Sequence, residues 1–262
     1  SISSLTRDWS HLNKYLMTDT FVEDVSMDFA CLSVQGPNSR NVLQKITDTS
    51  LENSEFKFAT GRYCKIAGVD VWIQKLSYVG ELGWEIFISK SDATTVYKAI
   101  KNNGREFNLC DVGLHAVNSL RLEKGYRHWG HDIAAEDNLF EAGLSSMAKP
   151  DGIDFIGKDA FLKQASQSLK RKLVQFKLND PDPVLYHNEP IIMNGEVNGY
   201  ITSGMYGHSL ECAVGMGYVN CENLTKEKLK QIDFEIEIAT DRYDAEASLI
   251  SLYDPDGSKM KL

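Results

Sequence analysis

The sequence predicts an α+β chain in two parts: antiparallel sheets with helices over residues 1–168, then a small all-β barrel over residues 169–262. Three observations predict it. A strand, a Gly-Pro turn and a helix follow one another between Phe29 and Ile46; strand-like alternation fills Arg62 to Ile88; and the texture changes after Pro150, with short β segments and a hairpin signal succeeding the last helix. Strands and helices mixed without strict βαβ alternation indicate an α+β layout.

Element by element, Trp9, Leu12 and Leu16 stand at helical spacing between Thr6 and Leu16. Phe29, Cys31, Leu32 and Val34 read as a buried strand that Gln35-Gly36-Pro37 breaks. Ser39 can cap a helix in which Val42, Leu43 and Ile46 share a face. Val69, Val71 and Ile73 alternate with Asp70, Trp72 and Gln74, the period of a sheet strand. Leu76-Ser77-Tyr78-Val79 reads as a further run, joined through Gly80-Glu81-Leu82-Gly83 to Trp84-Glu85-Ile86-Phe87-Ile88. The two glycines suggest a tight turn or bulge between paired strands. Ser91 is placed to cap a helix carrying Val96, Ala99 and Ile100, with Gly104 to stop it. A helix from Leu114 is expected to bury Val117, Leu120 and Leu122, and a short one over Lys158–Leu169 to turn Phe161, Leu162 and Ala165 inward. Beyond it, Leu173, Phe176 and Leu178 open a strand. Asn194-Gly195 between Ile191-Ile192-Met193 and Val197 signals a type I′ hairpin, and Phe234, Ile236 and Ile238 alternate with Glu235, Glu237 and Ala239. Short strands at close intervals suggest a barrel or sandwich. Gly204, Gly207, Gly215 and Gly217 read as turn and bulge positions.

With 262 residues, 42% hydrophobic and 25% charged, the chain can bury a sizeable core. A net charge of −9 with dispersed basic residues argues against nucleic acid as the main ligand. No apolar run approaches the roughly 18 residues of a membrane span, and Ser1 to Thr6 carries no secretory signature. No membrane association is expected. The lack of an initiator Met fits a fragment or a processed chain. Five cysteines without a C-x-x-C pair (Cys31, Cys64, Cys110, Cys212, Cys221) are expected to be packing thiols in a reducing compartment.

Two places can carry chemistry. Glu85 alternates with Trp84, Ile86 and Ile88, so it shares a strand face with Phe87, just beyond a glycine-rich turn. A carboxylate there can accept two parallel N–H bonds from an amidine-like edge, and Tyr78 can stack on or hydrogen-bond the same ligand. The pattern alone fits a solvent-facing glutamate on a sheet surface better than a ligand anchor. The second place is the run Arg121 to Asp132, in which Arg121, Glu123, Arg127 and Trp129 can hold a ligand or form an ion-pair network at a helix end. His128 and His131 have i, i+3 spacing, but Gly125 and Gly130 interrupt any helix and no carboxylate motif accompanies them, so no metal is expected. No nucleophile elbow, Walker loop or G-x-G-x-x-G is present.

Tyr78-Val79-Gly80-Glu81-Leu82-Gly83-Trp84-Glu85 resembles the Y-x-G-E-x-G-x-E motif of the aminomethyltransferase (glycine-cleavage T-protein) family. Ser119 to Trp129 with Glu141-Ala142-Gly143-Leu144 is most similar to the sarcosine and dimethylglycine dehydrogenase branch. Leu32 to Pro37, Asp154 to Lys158 and Thr202-Ser203-Gly204 keep the family order. The resemblance implies a partial folate-binding domain followed by a small barrel, with tetrahydrofolate as ligand. It implies that Glu85 holds the pterin edge, that Tyr78 lines the pocket, and that Arg121, Arg127 and Trp129 are candidate contacts. It also implies a flavin-dependent amine dehydrogenase domain or subunit as partner, with FAD only in a separate or missing N-terminal domain.

The expected function is capture of a methyl-derived one-carbon unit as 5,10-methylenetetrahydrofolate. Location would be cytoplasmic in a bacterium and the mitochondrial matrix in a eukaryote. The family's T-proteins have an arginine where Val117 stands, and no stretch of this sequence matches the upstream segment carrying their acidic residue. On that reading the chain lacks amine dehydrogenase activity and has impaired or no folate chemistry. The alternatives are a non-catalytic regulatory module of the same fold, like the regulatory subunit of pyruvate dehydrogenase phosphatase, and a tetrahydrofolate-dependent demethylase.

Overall fold

The structure is a computed structural model and describes residues 4–262, so the first three residues of the N-terminal stretch lie outside the described residues. Contacts divide the chain into two units, one running to Val117 and including Asp256–Leu262, the other Asn118–Pro255.

In the first unit, helix α1 (Leu5–Tyr15) precedes β1 (Phe29–Gln35), α2 (Ser39–Gln44), β2 (Gly61–Ile66), β3 (Val69–Gln74), β4 (Gly83–Ser89) and α3 (Ala93–Gly104). The four strands form an antiparallel sheet in the order β1-β4-β3-β2. Strand alternation gives it two unlike faces. One buries Val34, Val71, Ile73, Trp84, Ile86 and Ile88 against Val42 and Leu43 of α2 and Val96 and Ile100 of α3. Each such side chain contributes about 1.5–3 kcal/mol. The other face carries Cys31, Ser33, Trp72, Gln74, Glu85 and Phe87, all exposed or half-buried.

Several expectations change here. Leu76–Val79 is not a strand: β3 pairs directly with β4, and residues 75–82 form the connection. Two glycines shape that connection. Gly80 has φ +77°, and a Cβ on Gly83 would lie 2.5 Å from Val34 O, too close for any side chain. The N-cap of α2 is Asn38; Ser39 sits inside the helix and donates to Leu82 O at 3.0 Å, tying helix to connection. Asp92, not Ser91, is the N-cap of α3. Gly104 is that helix's last residue, and the left-handed stop comes at Asn108 (φ +56°) after a short 3-10 turn. Of the predicted strand at 29–34, Phe29 and Cys31 are exposed, because β1 edges the sheet and one of its faces is uncovered.

The second unit takes the end of α4 (Leu114–Glu123), then α5 (Lys158–Ala165), β5 (Lys172–Leu178), β6 (Pro190–Met193), β7 (Glu196–Gly207), β8 (Cys212–Val219), α6 (Lys226–Leu229), β9 (Phe234–Ile238) and β10 (Asp241–Ser248). Six strands close into a barrel in the order β10-β5-β8-β7-β6-β9 around Val174, Phe176, Ile191, Ile201, Val219 and Ile236. Asn194 and Gly195, at φ +51° and +88°, make the predicted hairpin turn. The glycines assigned to turns are instead inside β7 and β8. A Cβ on Gly217 would lie 2.4 Å from Tyr200 O, and one on Gly204 2.6 Å from the main chain of Leu185, so they admit close backbone approach.

Helix α4 buries Ser119, Arg121, Leu122 and Glu123 rather than Val117 and Leu120. In α5 only Phe161 turns inward, stacking on Phe140 at 4.7 Å; Leu162 and Ala165 are exposed. The thiols are all free, and Cys31 and Cys110 are exposed rather than packed.

Candidate functional site

Glu85 sits in the middle of β4, opposite Ser33 of β1 and Gln74 of β3, on the sheet face away from the core. Its Oε2 accepts from Gln74 Nε2 at 2.8 Å; Oε1 has no partner among the described residues. The carboxyl group is therefore oriented by one bond, with acceptor capacity left for a ligand. Sequence reasoning misses Gln74, although the alternation that turns Trp72 outward turns Gln74 the same way.

Two residues along β4, Phe87 shares the face of Glu85 and lines a cavity of 740 Å³. Trp9 and Leu12 of α1, with Phe29, Cys31 and Trp72, give it apolar walls. That volume lies within the roughly 300–1,000 Å³ of small-molecule sites. Burial first, and then the Glu85 charge, push the Cys31 thiol above its ordinary range. Tyr78 is on the connection, 39% exposed, in the same unit as Glu85.

The other candidates belong to the second unit. Arg121 is 3% exposed and donates to Asp132 Oδ2 at 2.6 Å, to Tyr126 O at 3.0 Å and to Ser203 Oγ at 2.9 Å. Asp132, fully buried, also accepts from Thr202 Oγ1 at 2.6 Å and from His128 N at 2.8 Å. Glu123 is fully buried too, its Oε1 accepting from Ser209 N and Leu210 N. Arg127 is half-buried and donates to Ala142 O and Gly125 O. Trp129 is half-buried and bridges to Ile133. His128 and His131 bring their rings to 4.5 Å on a turn, not a helix. Burial, then His131 and Arg121, lower the His128 pKa. Among the described residues no group of three or more His, Cys, Asp or Glu is arranged to hold a metal ion.

Two family models match in tandem: the GCVT N-terminal domain over residues 1–152, and the glycine cleavage T-protein C-terminal barrel domain over residues 171–254. The chain belongs to the glycine-cleavage T-protein family. Within that family it is 34% identical over 261 residues to human mitochondrial sarcosine dehydrogenase, covering 97% of this chain and 28% of that protein. It is 38% identical over 224 residues to the aminomethyltransferase of Halothermothrix orenii, covering 85% of this chain and 62% of that protein. It thus spans from about a quarter to under two thirds of the length of these relatives. Glycine cleavage system aminomethyltransferase T from Bartonella henselae shares the fold with a TM-score of 0.78 at 24% identity, over 96% of this chain and 67% of that one. The chain is an aminomethyltransferase-type T-protein domain pair related to the sarcosine and dimethylglycine dehydrogenases. No helix among the described residues is long and apolar enough to cross a membrane.

Proposed function

We propose that the chain is a tetrahydrofolate-binding one-carbon transfer module that works with a flavin-dependent amine dehydrogenase, capturing a methyl-derived carbon as 5,10-methylenetetrahydrofolate. The observation that carries the proposal is the Glu85 carboxylate, half-buried and aligned by Gln74, its Oε1 without a partner among the described residues, on the sheet face whose Cys31, Trp72 and Phe87 line an apolar cavity. A pterin edge offers adjacent N–H donors to a carboxylate and a flat ring to apolar walls. Charge-assisted paired bonds of that kind are strong and directional.

Bound tetrahydrofolate supplies the amines that take up the one-carbon unit. The chain's part is positional: Glu85 orients the pterin, Tyr78 packs on it, and apolar walls restrict water. Holding reactants in place replaces a bimolecular encounter with an effectively unimolecular one. Arg121, Arg127 and Trp129, all of the second unit, enter the proposal as separate candidates, the first two already engaged within that unit. The flavin partner, and a mitochondrial or bacterial cytoplasmic location, go with the same reading.

Calorimetric titration with reduced folate tests it. Glu85→Gln and Glu85→Ala should each weaken binding about ten- to hundred-fold, the value of a charge-assisted bond. Equal affinity in a folded Glu85→Ala chain would reject Glu85 as the pterin anchor, and Trp129→Ala in the same assay tests the second cluster.

A further inference from the structure

A second polar group lies on the core side of the sheet, opposite Glu85, around the Trp84 ring. Lys75, just past the end of β3, is only 2% exposed, and its ammonium lies 5.4 Å from the centroid of that ring. The Arg40 guanidinium lies over the same ring at 5.9 Å. Among the described residues neither cation has an Asp or Glu side chain in ion-pair or hydrogen-bond contact. Lys75 Nζ donates to Asn53 Oδ1, and Arg40 donates to the same oxygen at 2.7 Å and to Leu51 O at 3.0 Å. Trp84 Nε1, on a fully buried side chain, has no acceptor among the described residues.

Buried charges are ordinarily paired, because an uncompensated charge loses its hydration without recompense. Here two like charges converge on one amide oxygen. Burial, then the Arg40 charge, lowers the Lys75 pKa, with Glu52 offsetting at longer range. Among the described residues no Asp or Glu side chain meets this arrangement. What meets it is the segment at residues 261–262. Arg40 donates to Leu262 O at 2.5 Å, and Asn53 Nδ2 donates to Lys261 O at 2.6 Å and to Leu262 O at 3.1 Å. Residues 256–262 accordingly belong to the first unit by contact.

We propose that Arg40, Lys75 and Asn53 form a carboxylate-binding site, and that the segment 258–262, through the main-chain oxygens of Lys261 and Leu262, is its tethered occupant. The planar guanidinium fork matches a carboxylate, and Lys75 adds a point charge from below. A tethered occupant competes at an effective concentration in the millimolar range, so a free carboxylate is excluded until the segment leaves. This site is independent of the folate reading, since Trp84 and Glu85 point to opposite faces of β4.

The test ends the chain at Gly257 and titrates it with acetate against chloride at constant ionic strength, following the Trp84 indole N–H by ¹⁵N NMR. The proposal expects saturable binding in the shortened chain and at least roughly tenfold weaker binding in the intact one. Loss of a charge-assisted contact in Arg40→Gln or Lys75→Met should weaken it a further ten- to hundred-fold. No saturable response in a folded shortened chain, an equal response to chloride, or retention in both variants would overturn it. A second measurement keeps all 262 residues: Arg40→Gln should raise amide exchange at residues 258–262, and unchanged protection there counts against the site.

Discussion

Asp132→Ala is the sharpest perturbation of the second unit. The carboxylate is fully buried and accepts three hydrogen bonds, from Arg121 Nη1 (2.6 Å), Thr202 Oγ1 (2.6 Å) and His128 N (2.8 Å). Its removal strands a guanidinium whose side chain is only 4% exposed. Removing one partner of a buried ion pair costs about 3–5 kcal/mol. At about 4 °C per kcal/mol for a unit of this size, the transition should fall by roughly 12–20 °C. Urea denaturation followed by far-UV circular dichroism gives the free energy, and calorimetry the midpoint. Asp132→Asn keeps the shape and one acceptor and should fall between wild type and Asp132→Ala. The double substitution Arg121→Met/Asp132→Leu removes both charges, so it should cost less than the sum of its parts. A loss below about 1 kcal/mol for Asp132→Ala, or strict additivity in the double variant, would refute the view that the pair is energetically coupled.

Gly217→Ala should destabilise the barrel by at least about 1–3 kcal/mol in chemical denaturation, since the new Cβ would meet Tyr200 O at 2.4 Å and a backbone cannot step aside. Alkylation of Cys31 should show an inflection above that of an ordinary thiol, and Glu85→Gln should move it down by removing the second cause of the shift; identical profiles would place the two groups apart. His128 has a folded-state pKa below its unfolded value, so the unfolded chain binds the proton first as pH falls. Its contribution is therefore present above about pH 6.5 and is lost as pH drops from there toward the folded pKa; His128→Gln should flatten that part of the stability–pH curve.

Periodicity is informative wherever one face of an element is buried and the other is not. β3 and β4 alternate cleanly because helices cover one side of their sheet, and the same alternation places Glu85 on the open side from sequence alone. Asn194-Gly195 announces its hairpin because both residues tolerate positive φ. Leu76–Val79 misleads because a short run holding Leu, Tyr and Val looks like a strand whether or not a neighbour supplies a ladder. What settles the matter is the close passage at Gly83, where a Cβ would come within 2.5 Å of Val34 O, a contact 49 residues away in sequence.

The failures at α4 have one physical root. Its amphipathic pattern marks Val117 and Leu120 as inward, but the second unit buries a polar side of the helix instead. That is stable only because the partners of Arg121 and Glu123 come from distant segments: Asp132, Ser203, and the amides of Ser209 and Leu210. A hydrophobic pattern records transfer from water, and charged residues enter it as exposed by default. A charge whose counter-charge is 11 residues away, and one of whose other donors reaches a hydroxyl 82 residues away, is invisible to any local window. The density of Arg, Glu, Lys and Asp between Arg121 and Asp132 is the available signal. A run so charged, yet punctuated by Trp129 and two glycines, is unsuited to a solvated helix and fits a buried network. Lys75 escapes for the complementary reason. One lysine after a strand is unremarkable locally, and its meaning appears only when Arg40, Trp84 and the residues Lys261 and Leu262 are brought around it.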